Sequence, residues 1–237
     1  MTMQYGTNSM TVAQARQDAS TVFLAKVFNW MAIGLGLTGL IAYLTAQSGL
    51  AIAIVGSPIF FILILAELGM VFFLSARIDK IQPGTATGLF VGYSVLNGLT
   101  LSAIFLAYTK ASIGGTFLIT AGMFGAMAVY GLVTKRDLSG MGSFMFMGLI
   151  GIIIASIVNI FLKSSALYWS ISVIGVLVFV GLTAYDVQKI KHMGEQGIME
   201  QGEAAIRKGS IIGALALYLD FINLFLMLLR FFGGARD

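Results

Sequence analysis

The chain has 237 residues, 58% of them hydrophobic and only 10% charged, with a mean hydropathy of +0.95. A soluble domain carries about 25% charged residues, so the composition excludes a water-facing globule and describes an integral membrane protein. The net charge of +4 is spread along the chain as loop charge, which sets a nucleic-acid partner aside.

Residues 1–22 read as a polar N-terminal tail. They lack the charged n-region and short apolar run of a cleavable signal, so the first helix is expected to stay in place. With no cysteine in the chain, disulfides and thiol chemistry are excluded. Residues 23–233 read as a single transmembrane domain and 234–237 as a short C-terminal tail.

Apolar runs of helix-crossing length, about 20 residues, are predicted seven times, which makes the fold all-α and polytopic. Period-2 alternation is absent, so a β-barrel is excluded. Span 1 (24–46) contains "GLGLTG", which no strand precedes and no Lys-Ser/Thr follows, so it is no phosphate loop. Span 2 (51–76) carries Glu67 two-thirds of the way along and is followed by Arg77. Span 3 (84–108) opens with Gly84, Gly88 and Gly92, a spacing that predicts close helix packing, and contains Asn97.

Span 4 (112–133) is featureless; span 5 (141–162) holds Gly148, Gly151 and Asn159. Span 6 (166–189) has Asp186 in its last turns. A polar break over 190–208 follows, whose His192 and Glu195 read as solvated loop residues. Span 7 (209–232) places Asp220 near its middle, with Asn223 one turn on and Arg230 near its end. The three asparagines are expected to make interhelical hydrogen bonds.

Loop charge orients these spans. With the N-terminus in the cytosol, ten basic residues fall inside: Arg16, Lys26, Arg77, Lys80, Lys135, Arg136, Lys189, Lys191, Arg207 and Lys208. Four fall outside: Lys110, Lys163, Arg230 and Arg236. That asymmetry is the positive-inside bias.

Ionisable groups inside spans mark function by default. Glu67 and Arg77 are ten residues apart, about 15 Å along a helix, and so are Asp220 and Arg230. If spans 2 and 7 pack antiparallel, Arg77 meets Asp220 and Glu67 meets Arg230. Asp186 has no such cation and is expected beside Asp220. Two carboxylates in one low-dielectric pocket share a proton rather than both ionising. Such a pair can also bind a hard cation such as calcium through its oxygens.

The stretches "VGLTAYDVQKIK" and "ALALYLDFINLFLMLLRFFG" resemble the signature of the Bax inhibitor-1 family. "TAGMFGAMAVYGLVTKRDLSGMGSFMFMGLIGIIIASIVNIF" is similar to its bacterial inner-membrane branch. The resemblance implies six helices around a central seventh. It also implies a pH-sensitive cation leak, calcium foremost, in a bacterial inner membrane, gated by a di-aspartyl sensor matching Asp186 and Asp220. Glu67 and Arg230 match the family's further charged positions, and its latch arginine falls at Arg77 or one residue beyond.

An intramembrane aspartyl protease is disfavoured, because "LYLD" stands where Gly-x-Gly-Asp would be and no Pro-Ala-Leu segment follows. A retinal protein is excluded by the lack of a lysine inside span 7. The alternative is a non-transporting regulator of a membrane partner such as a membrane protease. The expected protein is no enzyme and needs no cofactor. Its partners are the lipid bilayer, protons and cations, with calcium held transiently by Asp186 and Asp220.

Overall fold

A computed structural model describes residues 4–235; Arg236 lies outside the described residues. Nine helices occur among these residues: α1 (Gln4–Gln47), α2 (Leu50–Val55), α3 (Ile59–Arg77), α4 (Pro83–Leu101), α5 (Ile104–Ala107), α6 (Lys110–Val133), α7 (Ser139–Leu162), α8 (Ser165–Glu195) and α9 (Glu203–Phe232). Seven segments built from them are long and apolar enough to cross a membrane. The described part of the polar tail continues α1, and its Ser20 is buried with Oγ donating to the Lys191 carbonyl at 2.9 Å.

Two predicted spans are broken, each for a local reason. Span 2 divides at "GSP": proline has no N–H to donate, so α2 stops at Val55 and α3 starts directly after Pro58. Span 3 divides after Leu101, where side-chain hydroxyls compete for backbone carbonyls. Ser102 Oγ donates to Leu99 O at 2.6 Å, and Thr100 Oγ1 lies 3.0 Å from Asn97 O.

The predicted polar break over 190–208 is shorter than expected. Helix α8 runs on to Glu195 and α9 starts at Glu203. A single 3-10 turn, Ile198–Glu200, lies between them. Gly197 and Gly202 flank it, both at φ 86°, a conformation that side-chain-bearing residues resist.

Helix α9 is the most buried of the seven: 72% of its most apolar stretch is covered, against 6% for α7 and 11% for α3. It packs on α8, α1, α6 and α4. The outer helices attach elsewhere, α3 to α4 and α7 to α8. Their remaining faces present side chains such as Phe72 and Phe161 outward, as contact with lipid tails requires.

Close approach is achieved at part of the expected set, a Cβ at Gly92 lying 3.3 Å from Met70 and one at Gly148 2.8 Å from Val178, and at glycines outside it. Nothing lies near Gly84 or Gly88, whereas a Cβ at Gly131 would strike the Ala184 carbonyl and one at Gly142 the Tyr185 ring. These two positions let α6 and α7 press against α8.

The two ends of the bundle are distinct. At one end Lys208 Nζ donates to Asp79 O at 3.0 Å, Arg207 Nε to Thr87 Oγ1 at 3.0 Å, and Lys191 Nζ to Leu132 O at 2.9 Å. At the other, Thr109 N–H donates to Gly234 O at 3.1 Å and Lys110 Nζ to Gln47 Oε1 at 3.4 Å. Helix α9 therefore runs the full length of the bundle and does not turn back.

Buried Gln188 ties the α6–α7 loop to α8, accepting from Leu138 N–H at 2.9 Å and donating to Arg136 O at 2.8 Å. Gln188→Leu keeps the volume and strands both backbone groups, at about 1–3 kcal/mol each. Denaturation in detergent micelles should show a clearly lower midpoint, and an unchanged midpoint would mean the clamp contributes nothing.

Candidate functional site

Asp186 and Asp220 come together because of how antiparallel helices aim their side chains. Gly175 lies opposite Met227, and Ile190 opposite Gly213, which fixes the register of α8 on α9. That register leaves the two aspartates staggered by about one turn. A helical Cα–Cβ bond tilts toward its own N-terminus. Since α8 and α9 run in opposite directions, the two carboxyls lean toward each other and close the stagger. They lie within hydrogen-bonding reach.

The two groups differ in surroundings. Asp220 is buried, 4% exposed, and its Oδ2 has no hydrogen-bond donor among the described residues. Asp186 is half-buried, with exposed Lys189 one turn away on the same helix. Both line a cavity of about 650 Å³ between α3, α7, α8 and α9, bounded by Ser75 on α3 and Gly142 on α7. The tyrosine that Gly142 accommodates, Tyr185, lines it too. Oxygen, apolar carbon and the Lys189 side chain share the walls.

The expected ion pairs across spans 2 and 7 are not formed. Among the described residues the ion pairs are Lys191–Glu195 at 3.7 Å and His192–Glu195 at 4.0 Å, both at the end of α8. Arg77 is exposed, and the cavity separates α3 from Asp220. At 100° per residue Arg77 also points about 200° round the helix from Ser75, away from that cavity.

Glu67 instead meets α4. It accepts from Thr100 Oγ1 at 2.7 Å and from Asn97 Nδ2 at 3.1 Å. Arg230 turns to α8, donating to Ser172 Oγ at 3.3 Å and lying 4.6 Å from the centre of the Tyr168 ring. The pairing failed because spacing along two helices carries no information about which helices are neighbours.

Of the three asparagines, only Asn97 bonds between helices. Asn159 Oδ1 accepts from Ser164 N at 2.9 Å in its own loop, and Asn223 Nδ2 donates to Leu219 O at 2.8 Å in its own helix. Sequence reasoning missed Thr38 and Tyr218, which join Asn97 in a buried chain. A hydroxyl in an apolar run was the only signal for either.

No group of three or more His, Cys, Asp or Glu side chains that could hold a metal exists among the described residues. Two carboxylates supply at most four oxygens, short of the six to eight that calcium takes.

A family model described as inhibitor of apoptosis-promoting Bax1 matches residues 20–237. The inner membrane protein YbhL of Escherichia coli (strain K12) is 54% identical over 230 residues, which is 96% of this chain and 97% of that protein. A protein of Borreliella burgdorferi is 50% identical over 218 residues, covering 91% and 93% of the two chains. One of Deinococcus radiodurans is 48% identical over 225 residues, covering 94% and 95%. With a match over nearly its whole length and relatives at these identities, the chain belongs to the Bax inhibitor-1 family of membrane proteins.

Proposed function

We propose that the protein is a proton-regulated cation leak, calcium foremost, in a bacterial inner membrane. One observation carries this reading: two facing carboxyls, one of them buried with an oxygen that has no donor among the described residues, on the wall of a cavity of about 650 Å³. A buried carboxylate whose only neighbour is a second carboxyl is costly unless a proton or cation arrives to neutralise it. Protons and cations then compete for the same oxygens.

The residue roles follow from the contacts. Asp186 and Asp220 take up the proton or the passing ion. Arg77 acts as an exposed cation that holds the end of α3 at the lipid headgroups. Arg230 and Glu67 hold α9 and α3 to their separate neighbours. The reading is of a passage and not of an enzyme, and it needs no cofactor.

Orientation follows from the basic residues gathered at one end, which the positive-inside bias assigns to the cytosol together with the N-terminus. An impermeant thiol reagent should label Lys135→Cys from the cytosolic side and Ala235→Cys from the outside. The reverse pattern would invert the topology, and labelling of both from one side would contradict a fully crossing α9.

The function itself is tested by calcium entry into liposomes holding the purified protein, across a range of pH. Flux that exceeds protein-free liposomes and varies with pH is expected. Absence of flux at every pH would favour the rival role as a regulator of a membrane partner.

A further inference from the structure

Helix α9 carries a second polar system on the face away from Asp220. Tyr218 is two residues earlier, about 200° round the helix, and is wholly buried. Its hydroxyl lies 2.7 Å from Thr38 Oγ1 on α1 and 3.0 Å from Asn97 Oδ1 on α4. Thr38 Oγ1 in turn lies 2.8 Å from the Ser94 carbonyl. At the other end Asn97 Nδ2 and Thr100 Oγ1 bond the two oxygens of Glu67. The chain thus links α1, α9, α4 and α3 without a break.

Counting hydrogens shows that the chain cannot be filled as it stands. Three contacts run from the Ser94 carbonyl through Thr38 and Tyr218 to Asn97 Oδ1, and each hydroxyl has one proton to give. Only one of two arrangements fills every contact. With Glu67 ionised, Asn97 Nδ2 donates to Glu67 and Tyr218 to Asn97 Oδ1, and the one proton of Thr38 goes either to Tyr218 or to the Ser94 carbonyl, which leaves one contact unfilled.

With Glu67 protonated on Oε2, the carboxyl must donate, so the Asn97 amide turns half a revolution to present its oxygen. Asn97 Nδ2 then donates to Tyr218, Tyr218 to Thr38, and Thr38 to the Ser94 carbonyl. Every contact in the run is filled, in the opposite direction.

We propose that Glu67 is a second proton-binding site, whose protonation reverses this chain and is read out at Tyr218 on the helix that carries Asp220. The groups facing Glu67 are Asn97, Thr100 and Tyr93 on α4 and Tyr218 on α9. Helix α2, which also packs on α3, brings only the apolar "LAIAIV". Among the described residues no cation is paired with Glu67, so a proton is its available neutraliser. A carboxylate at mid-span in an outer helix needs one.

Infrared difference spectroscopy of the protein in liposomes, titrated with acid, tests this without relying on ion flux. Wild type should gain a protonated-carboxyl band that Glu67→Gln removes. A tyrosine C–O shift, absent in Tyr218→Phe, should appear with the same midpoint. Asn97→Leu should keep the carboxyl band and lose the tyrosine shift.

A tyrosine shift that persists in Glu67→Gln or in Asn97→Leu would overturn the proposal. So would a wild type lacking the Glu67 band at every pH where it stays folded. The comparison of the two wild-type midpoints needs no variant, so the test survives a variant that fails to fold; separate midpoints would refute the link.

Discussion

Tyr218→Ala should destabilise the bundle by about 3–5 kcal/mol, the range for emptying a large buried aromatic site. Tyr218 is fully buried and leads the wholly buried side chains in volume. Its ring meets Phe90 and Tyr93 edge-on, with centroids 6.0 and 5.5 Å away. Inside a membrane the loss is mainly one of packing, because lipid tails are as apolar as the core. α1, α4 and α9 would all border the void. Tyr218→Phe removes only the hydroxyl and should cost about 1 kcal/mol. Denaturation midpoints in detergent separate the two, and equal midpoints for Tyr218→Ala and wild type would contradict the packing described.

The sequence revealed the fold class more readily than the neighbours within it. Seven crossings were legible because apolar length is a property of each run alone. The breaks at Pro58 and after Leu101 were not read, although "GSP" and "TLS" carried the signals. Helix α8 continuing to Glu195 was hidden by charges that suit an exposed helical end as well as a loop. Glycine spacing was a partial guide: Gly84 and Gly88 face open space, Gly92 and Gly148 meet Met70 and Val178, and Gly131 and Gly142, in no stripe, make further close approaches.

The nearness of Asp186 and Asp220 is legible in chain order and in the family resemblance, and the register of α8 on α9 with the opposed tilt of their side chains produces it. Glu67 and Arg230 stand out in the sequence as charges within spans, but their partners, Asn97 and Thr100 for one and Ser172 for the other, do not. Partner choice depended on α3 packing against α4, which nothing in the sequence of either helix announces. Tyr218 and Thr38 are ordinary span residues until folding sets them 2.7 Å apart.

If Asp186 and Asp220 sense protons as a pair, the pH dependence of calcium flux into liposomes must change when either is replaced. Asparagine is close in shape to a protonated aspartate and cannot ionise. At low pH, where the pair already holds its proton, Asp186→Asn and Asp220→Asn should behave as wild type does. As pH rises through the loss of the shared proton, wild-type flux should change while both variants stay flat. The divergence should therefore grow toward high pH, with the two variants alike because each removes the same coupling. Flux in both variants that follows the wild-type pH curve would contradict the claim and place the proton sensor elsewhere in the protein.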